Sequence, residues 1–257
     1  MTTHQSRPLE GATVVVIGGS SGMGLGVARS AAAQGAASVV VTSRSADRLP
    51  DAAARVTEGV TGAAPKVDAL VCDLTDEQSI DALFDRVGPL DHLVVTASPG
   101  SSGSAFLDTE ESQARAFVDG KLWGSWRAAR RAALRMTGVG AAGRSITFAT
   151  GGMSVRPMAG RIPVTVAFAG VEALARALAV ELAPLRVNVI RPGMTDTEMW
   201  SSVPEDQRRE IFAEFAKNTP ARRVGLPEDI GAAATYAMTA GFVTGAVLDV
   251  DGGSLLT

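Results

Sequence analysis

Residues 14–26 read Val14-Val15-Val16-Ile17-Gly18-Gly19-Ser20-Ser21-Gly22-Met23-Gly24-Leu25-Gly26. Four β-branched residues in a row predict a short buried strand, and glycines at 18, 22 and 24 end it in a tight turn. The turn opens a helix, which is the context in which such a glycine set binds a dinucleotide pyrophosphate. Each glycine then has a reason. Gly18 permits the sharp turn, Gly22 lets backbone approach a phosphate, and Gly24 lets the helix pack on the sheet. The helix N-terminus offers free N–H groups and the positive end of its dipole to that anion. Ser20, Ser21 and Met23 complete the loop. The bland alternative is an ordinary strand–helix turn that happens to be rich in glycine.

Outward from this turn, short β-branched runs alternate with helical stretches. Strands are expected at 13–17, 38–42, 67–71, 92–96, 145–149, 187–190 and 246–250. Each intervening segment is long enough for one helix. That alternation predicts an α/β fold, a Rossmann-type doubly wound parallel sheet of about seven strands with helices on both faces. A single domain over 1–257 is expected. The clearest helix is 166–182, with Ala167, Val171, Leu174, Leu178 and Leu182 on one stripe. Two loops stand out, at 99–105 and 138–143. A longer excursion, 195–221, breaks the rhythm with two short helices, around Met199 and at 208–215. Ligands of open α/β sheets bind beyond the strand carboxyl ends, so this excursion reads as a flap over a substrate, or as plain surface decoration.

The second strand ends at Thr42-Ser43-Arg44-Ser45, with Ser43 nineteen positions after Gly24. An acid there would bind the ribose 2′-hydroxyl of NAD. Ser43 has no carboxylate to repel a 2′-phosphate, and Arg44 has a fork of donors suited to one. The expected cofactor is therefore NADP(H), with Ser20, Ser21 and Arg48 able to add contacts. A solvated charge after a strand is the alternative for Arg44.

Composition removes other classes. The net charge of −3 provides no field for nucleic acid or an anionic membrane, so neither is an expected partner. One cysteine, Cys72, excludes an internal disulfide framework and suits a reducing cytoplasm. No apolar run approaches the ~20 residues of a spanning helix. Residues 1–10 are polar, lack the apolar core of a signal peptide, and read as a loose tail. Two distant histidines and one cysteine make no metal site by spacing. His92 lies in a strand and reads as structural; His4 lies in the tail.

These residues, with others downstream, resemble the short-chain dehydrogenase/reductase family over nearly the whole chain. The family's Thr-Gly-x-x-x-Gly-x-Gly turn has Ile17 in place of its Thr. Cys72-Asp73-Leu74 is similar to the pair beside the adenine, and Asp73 and Leu74 are expected there. Leu90-Asp91-His92-Leu93-Val94 leads into Val95-Thr96-Ala97-Ser98, where the family writes Asn-Asn-Ala-Gly. The resemblance implies that Thr96, Ala97 and Ser98 flank the cofactor. Arg186-Val187-Asn188, Arg191-Pro192-Gly193 and Thr197 match the segment beside the nicotinamide, which places Pro192, Gly193, Thr195 and Thr197 there. Arg223 to Ile230, Thr244-Gly245 and Val250 to Gly253 match the carboxyl-terminal pattern. A homodimer or homotetramer is implied, paired through helices such as 110–136 and 166–182, the former carrying Trp123 and Trp126.

The family's catalytic Asn, Ser, Tyr and Lys are where the resemblance fails. With the alignment anchored on Leu174-Ala175-Arg176 and Ala179 to Leu182, the Tyr position falls on Val164 and the Lys position on Phe168. The Ser position falls on Gly151 and the Asn position on Lys121. Residues 151–168 hold no Tyr, Lys, His, Asp or Glu, and no Tyr or Lys occurs anywhere from Gly124 to Leu185. The only tyrosine, Tyr236, reads as packing in a late helix. Losing a positioned acid costs roughly 10²–10⁴ in rate, and losing oxyanion donors can cost about as much again. Lys121 is the most interesting replacement. It shares a helical stripe with Phe117, Gly124, Ala128 and Ala132, and lysine is rarely buried without a partner. It either titrates as an acid, holds an anion, pairs structurally or snorkels to solvent. Thr150 and Thr165 flank the lost Ser and Tyr positions and can donate a hydrogen bond, or can satisfy local backbone. Arg156 and Arg161 can bind an anion or stand solvated.

Three functions remain open at this point. The first is an NADP(H)-dependent oxidoreductase with altered catalytic residues, acting on a small carbonyl or imine-type molecule. The second is a redox-neutral lyase, isomerase or cyclase using the same pocket. The third is a non-catalytic binding protein or partner subunit.

Overall fold

The computed structural model describes residues 7–100, 103–136 and 140–257. Seven strands form one all-parallel sheet in the order β3-β2-β1-β4-β5-β6-β7. They are β1 (Thr13–Ile17), β2 (Ser38–Ser43), β3 (Lys66–Val71), β4 (His92–Val95), β5 (Ser145–Ala149), β6 (Arg186–Pro192) and β7 (Val247–Val250). The strand order reverses between β1 and β4, which opens a crevice at their carboxyl ends. The predicted doubly wound architecture is therefore the one found. The expected boundaries shift by a residue or two at β2, β3, β4, β6 and β7.

The helices are α1 (Gly22–Ala33), α2 (Leu49–Val56), α3 (Glu77–Val87), α4 (Glu111–Val118), α5 (Gly124–Met136), α6 (Ile162–Glu181), α7 (Glu205–Asn218) and α8 (Pro227–Thr239). Strand alternation divides the core into two layers. Val14 and Val16 of β1 face α1, α2 and α8, with Leu25, Ala28 and Ile230. Val15 and Ile17 face α3, α5 and α6, with Phe84, Ala132 and Val171. Both faces of the sheet are thus dry, as parallel strands require. The close approach of α1 to α8 depends on Gly26, where a Cβ would stand 2.2 Å from the Pro227 carbonyl oxygen.

Three expectations need correction. The amino-terminal segment is not loose throughout, because Leu9 is buried in the α1 layer; residues 1–6, with His4, lie outside the described residues. Tyr236 is half-exposed on α8 rather than packed. Among the described residues α6 is long and apolar enough to cross a membrane, contrary to the absence expected from sequence. Its Val171, Ala175 and Ala179 are instead part of the core under the sheet. Residues 101 and 102, within the first expected loop, and 137–139, at the start of the second, also lie outside the described residues.

The expected helix over 110–136 is interrupted. Residues Asp119–Trp123 form a π-helical turn between α4 and α5. Such a bulge inserts a residue and re-aims the side chains on either side of it. Lys121 sits inside it. The excursion 195–221 holds a 3₁₀ turn, Glu198–Trp200, and α7, with Trp200 and Phe212 edge-to-face at 5.3 Å.

Candidate functional site

The glycine-rich turn is held by threonines from both neighbouring strands. Thr42 accepts from the Gly18 N–H at 3.3 Å, and Thr96 donates to the carbonyls of Ile17 and Gly18 at 3.1 and 3.2 Å. Gly18 has φ +88°, a left-handed conformation that side chains avoid. At Gly24 a Cβ would stand 2.0 Å from the Gly18 carbonyl oxygen. The helix can start where it does only because no side chain is present. Gly24→Ala is expected to lower stability by at least about 2 kcal/mol and to abolish nucleotide binding. Thermal unfolding with and without NADPH checks both halves.

A cleft of about 660 Å³ opens above this turn. Gly18, Ser20, Ser21, Gly22, Met23 and Gly24 form its floor. Ser43 and Arg44 wall one end, with Ser45 and Arg48. Asp73 comes from the β3 end, Thr96, Ala97 and Ser98 from the β4 end, and Thr197 from the excursion. Leu74, Pro192, Gly193 and Thr195 stand outside these walls. Leu74 is in the core, Gly193 N–H donates to the Val250 carbonyl, and Thr195 donates to the Gly193 carbonyl. Arg44 is exposed and makes no hydrogen bond or ion pair among the described residues. Cys72 is on the wall, but burial pushes its thiol up to about 12, which makes it inert.

One anionic group already sits on the turn. Gly22 N–H donates to the Glu198 carboxylate at 2.7 Å, and Arg55 holds the other oxygen at 3.1 Å. Burial raises the Glu198 pKa, but its own backbone N–H, Arg55 and Gly22 N–H outweigh that and hold it below the ordinary glutamate value. The helix N-terminus therefore binds an oxyanion in this geometry. Sequence reasoning named Thr197 and missed Glu198. The signal was its place directly after Thr197.

Beyond the cleft lies a compact apolar cluster. Phe117 of α4 and Val164, Ala167 and Phe168 of α6 pack together, with Phe117 and Phe168 rings 6.5 Å apart. At Gly151 a Cβ would meet the Phe168 ring at 2.9 Å, so the ring fills the space that side chain would need. Lys121 is 1% exposed beside this cluster, so it does not snorkel. Its Nζ donates to the Ala97 carbonyl at 2.9 Å and lies 5.7 Å from the Phe168 ring centroid. No carboxylate pairs with it among the described residues. Burial pushes its ammonium down to about 7.

The two threonines differ. Thr150 donates to Glu172 at 3.1 Å, and Glu172 is a bidentate partner of Arg191 at 2.8 and 3.1 Å. Arg191 also holds Ser154 and Asp249. Burial raises the Glu172 pKa, and Arg191 and the hydroxyls pull it below the ordinary value. Thr150 is thus engaged in a buried ionic network. The Thr165 hydroxyl is buried with no hydrogen-bond partner among the described residues. Arg156 binds the carbonyls of Ser254 and Thr257. His92 is buried on Ser145 at 2.9 Å, and burial pushes it down to about 4, in line with a structural role. Glu172→Gln is expected to destabilise the fold by about 3 kcal/mol, because Arg191 loses its buried partner. A urea titration against the wild type measures it.

A doubly wound sheet with a glycine-rich turn at its strand-order reversal defines a dinucleotide-binding fold class. The family model described as enoyl-(acyl carrier protein) reductase matches residues 17–254. The chain is 33% identical over 269 residues to short-chain dehydrogenase/reductase ucsE of an Acremonium species, covering 100% of both. It superposes on the MalC reductase/Diels-Alderase of Malbranchea aurantiaca with a TM-score of 0.91 at 27% identity, over 98% of this chain and 100% of that one. It is also similar to a small-chain dehydrogenase in complex with NADPH, at 30% identity and a TM-score of 0.77, over 96% and 100%. The chain belongs to the short-chain dehydrogenase/reductase family of oxidoreductases.

Proposed function

We propose that the protein is an NADP(H)-dependent oxidoreductase with a non-standard active site, acting on a small organic carbonyl or imine-type substrate. One observation carries this reading. The N-terminus of α1 holds an oxyanion at 2.7 Å, and the exposed Arg44, without a partner among the described residues, lines the same cleft. An anion seat and a guanidinium in one cleft suit a pyrophosphate and a 2′-phosphate. The NADPH complex of a similar dehydrogenase supports the same cofactor.

When bound, the cofactor supplies or accepts the hydride. The chain's part is to position, desolvate and protonate. Gly22, Ser20 and Ser21 would hold the phosphates, and Arg44 with Arg48 the ribose phosphate. Phe117, Val164 and Phe168 would exclude water from the reacting carbon. Lys121 would supply the proton, because a desolvated amine near pH 7 is a competent acid. The unpartnered Thr165 hydroxyl would donate to the developing oxyanion. Thr150 would act only through Glu172 and Arg191. Residues 195–221 would cover the substrate.

A cyclase reading has its own support. The MalC structure is described as both reductase and Diels-Alderase, and an apolar cluster in place of an acid dyad suits a reaction that moves no proton. Calorimetric titration with NADPH and NADH, followed by NADPH oxidation against a carbonyl and imine panel, separates the two. Tight NADPH binding with turnover supports the reductase. Product formation without NADPH consumption supports the cyclase. Exposed Trp123 at the end of the π turn and Trp126 on α5, with Val166 and Val180 on α6, fit pairing into a dimer or tetramer, and one buried thiol fits a reducing cytoplasm. Light scattering on the purified protein tests the assembly.

A further inference from the structure

Glu198 is the one carboxylate in the cleft that touches the glycine-rich turn, among the described residues. Its position is over-determined. One oxygen accepts from Gly22 N–H at 2.7 Å, the other from Arg55 at 3.1 Å. Thr197, its neighbour, packs so closely that a Cβ on Gly22 would stand 3.0 Å from the Thr197 Cβ. Behind it, Trp200 donates to the Thr195 carbonyl at 3.1 Å and stacks edge-on to Phe212 of α7. The Glu198 side chain therefore ties the whole excursion to the start of α1.

Two anions cannot share one backbone N–H. A carboxylate at 2.7 Å also repels any phosphate placed beside it, through a cleft that water screens only in part. We infer that Glu198 is a built-in competitor for the cofactor pyrophosphate, so that cofactor binding must displace it and release the excursion from α1. This rests on the cofactor reading above and adds to it a residue that sets cofactor affinity. Arg55 is part of the device. Its guanidinium lines a neighbouring cleft together with Arg48, Ser20, Ser21 and Glu198 itself. A displaced carboxylate can stay paired with Arg55 while Gly22 N–H is given up.

Removing the charge has a definite sign. Titration of wild type, Glu198→Gln and Glu198→Ala with NADPH, by calorimetry, is the experiment. Both variants are expected to bind NADPH roughly tenfold more tightly than wild type, since they lose a competing anion at a helix N-terminus. The same variants are expected to bind inorganic pyrophosphate more tightly. Measurable wild-type binding with no tightening in either variant overturns the inference and leaves the cofactor reading standing. If wild type binds no nucleotide and the variants do, the competitor is shown by rescue. If none of the three binds NADPH or NADH, the cofactor reading fails, and this inference fails with it because charge removal did not open the seat. Circular dichroism of each variant confirms that the fold is retained, and agreement between the Gln and Ala variants guards against a local packing effect.

Discussion

Lys121→Met is expected to cut the rate of carbonyl reduction by roughly 10²–10⁴ while the protein stays folded. Methionine keeps the length and the apolar stem, and it fits beside Phe168 without a charge. The loss is therefore chemical rather than structural. The pH profile gives the sharper readout. Burial pushes the Lys121 ammonium down to about 7, so if its protonated form is the acid of the proposed reduction, the rate should fall as pH rises through that value. Oxidation in the reverse direction should rise over the same range. Stability has its own sign. The folded pKa lies below the ordinary lysine value, so between about 7 and that value the unfolded chain holds the extra proton. Stability should climb with pH across this window and fall back as pH drops toward 7. The methionine variant should lose that slope. A rate unaffected by the substitution, or a profile without a step near 7, removes Lys121 from the chemistry. Should Lys121 only position the Ala97 carbonyl, the variant would show weaker NADPH binding with the pH profile unchanged.

The contrast between what could and could not be read beforehand has physical causes. Fold class followed from Val14–Ile17 and the six similar runs, because strands covered on both faces read as near-continuous apolar and β-branched runs. The seat of the turn followed from Gly18, Gly22 and Gly24, because only glycine tolerates the contact seen at Gly24. Arg44 was legible as the residue directly after β2. The burial of Lys121 was legible as a stripe, but its partner was not. Ala97 lies twenty-four residues away on another element, and the π turn that aims the amine leaves no mark in local periodicity. Thr150 read as a donor to the site or to local backbone, yet it donates to Glu172, a residue distant in sequence that Arg191 holds in place. Glu198 was missed for a related reason. Its meaning comes from a contact 176 positions back, to an N–H that carries no side-chain signature.

The cofactor preference should reverse when Arg44 is replaced by aspartate. In the wild type Arg44 is exposed at the cleft end with no other partner among the described residues, so its donors are available to a 2′-phosphate. A guanidinium–phosphate pair is charge-assisted and bidentate, and its loss alone costs about 1.5–3 kcal/mol. Aspartate adds repulsion to that loss. NADPH binding is expected to weaken by roughly 10²–10³. NADH has a free 2′-hydroxyl, which the new carboxylate can accept from, so its binding should tighten several-fold. Arg44→Ala separates the two terms, since it should lose NADPH affinity without gaining NADH affinity. Ser43 matters to this outcome because it brings no second charge to the end of β2. Arg48, which lines the same cleft, should preserve a residue of NADPH binding in the Ala variant but not in the Asp variant, whose carboxylate repels the phosphate. Calorimetric titration of both cofactors against all three proteins measures the ratio directly. A ratio of NADPH to NADH affinity that does not move in Arg44→Asp means that the phosphate is bound elsewhere, or that the cleft holds NAD(H) without discriminating.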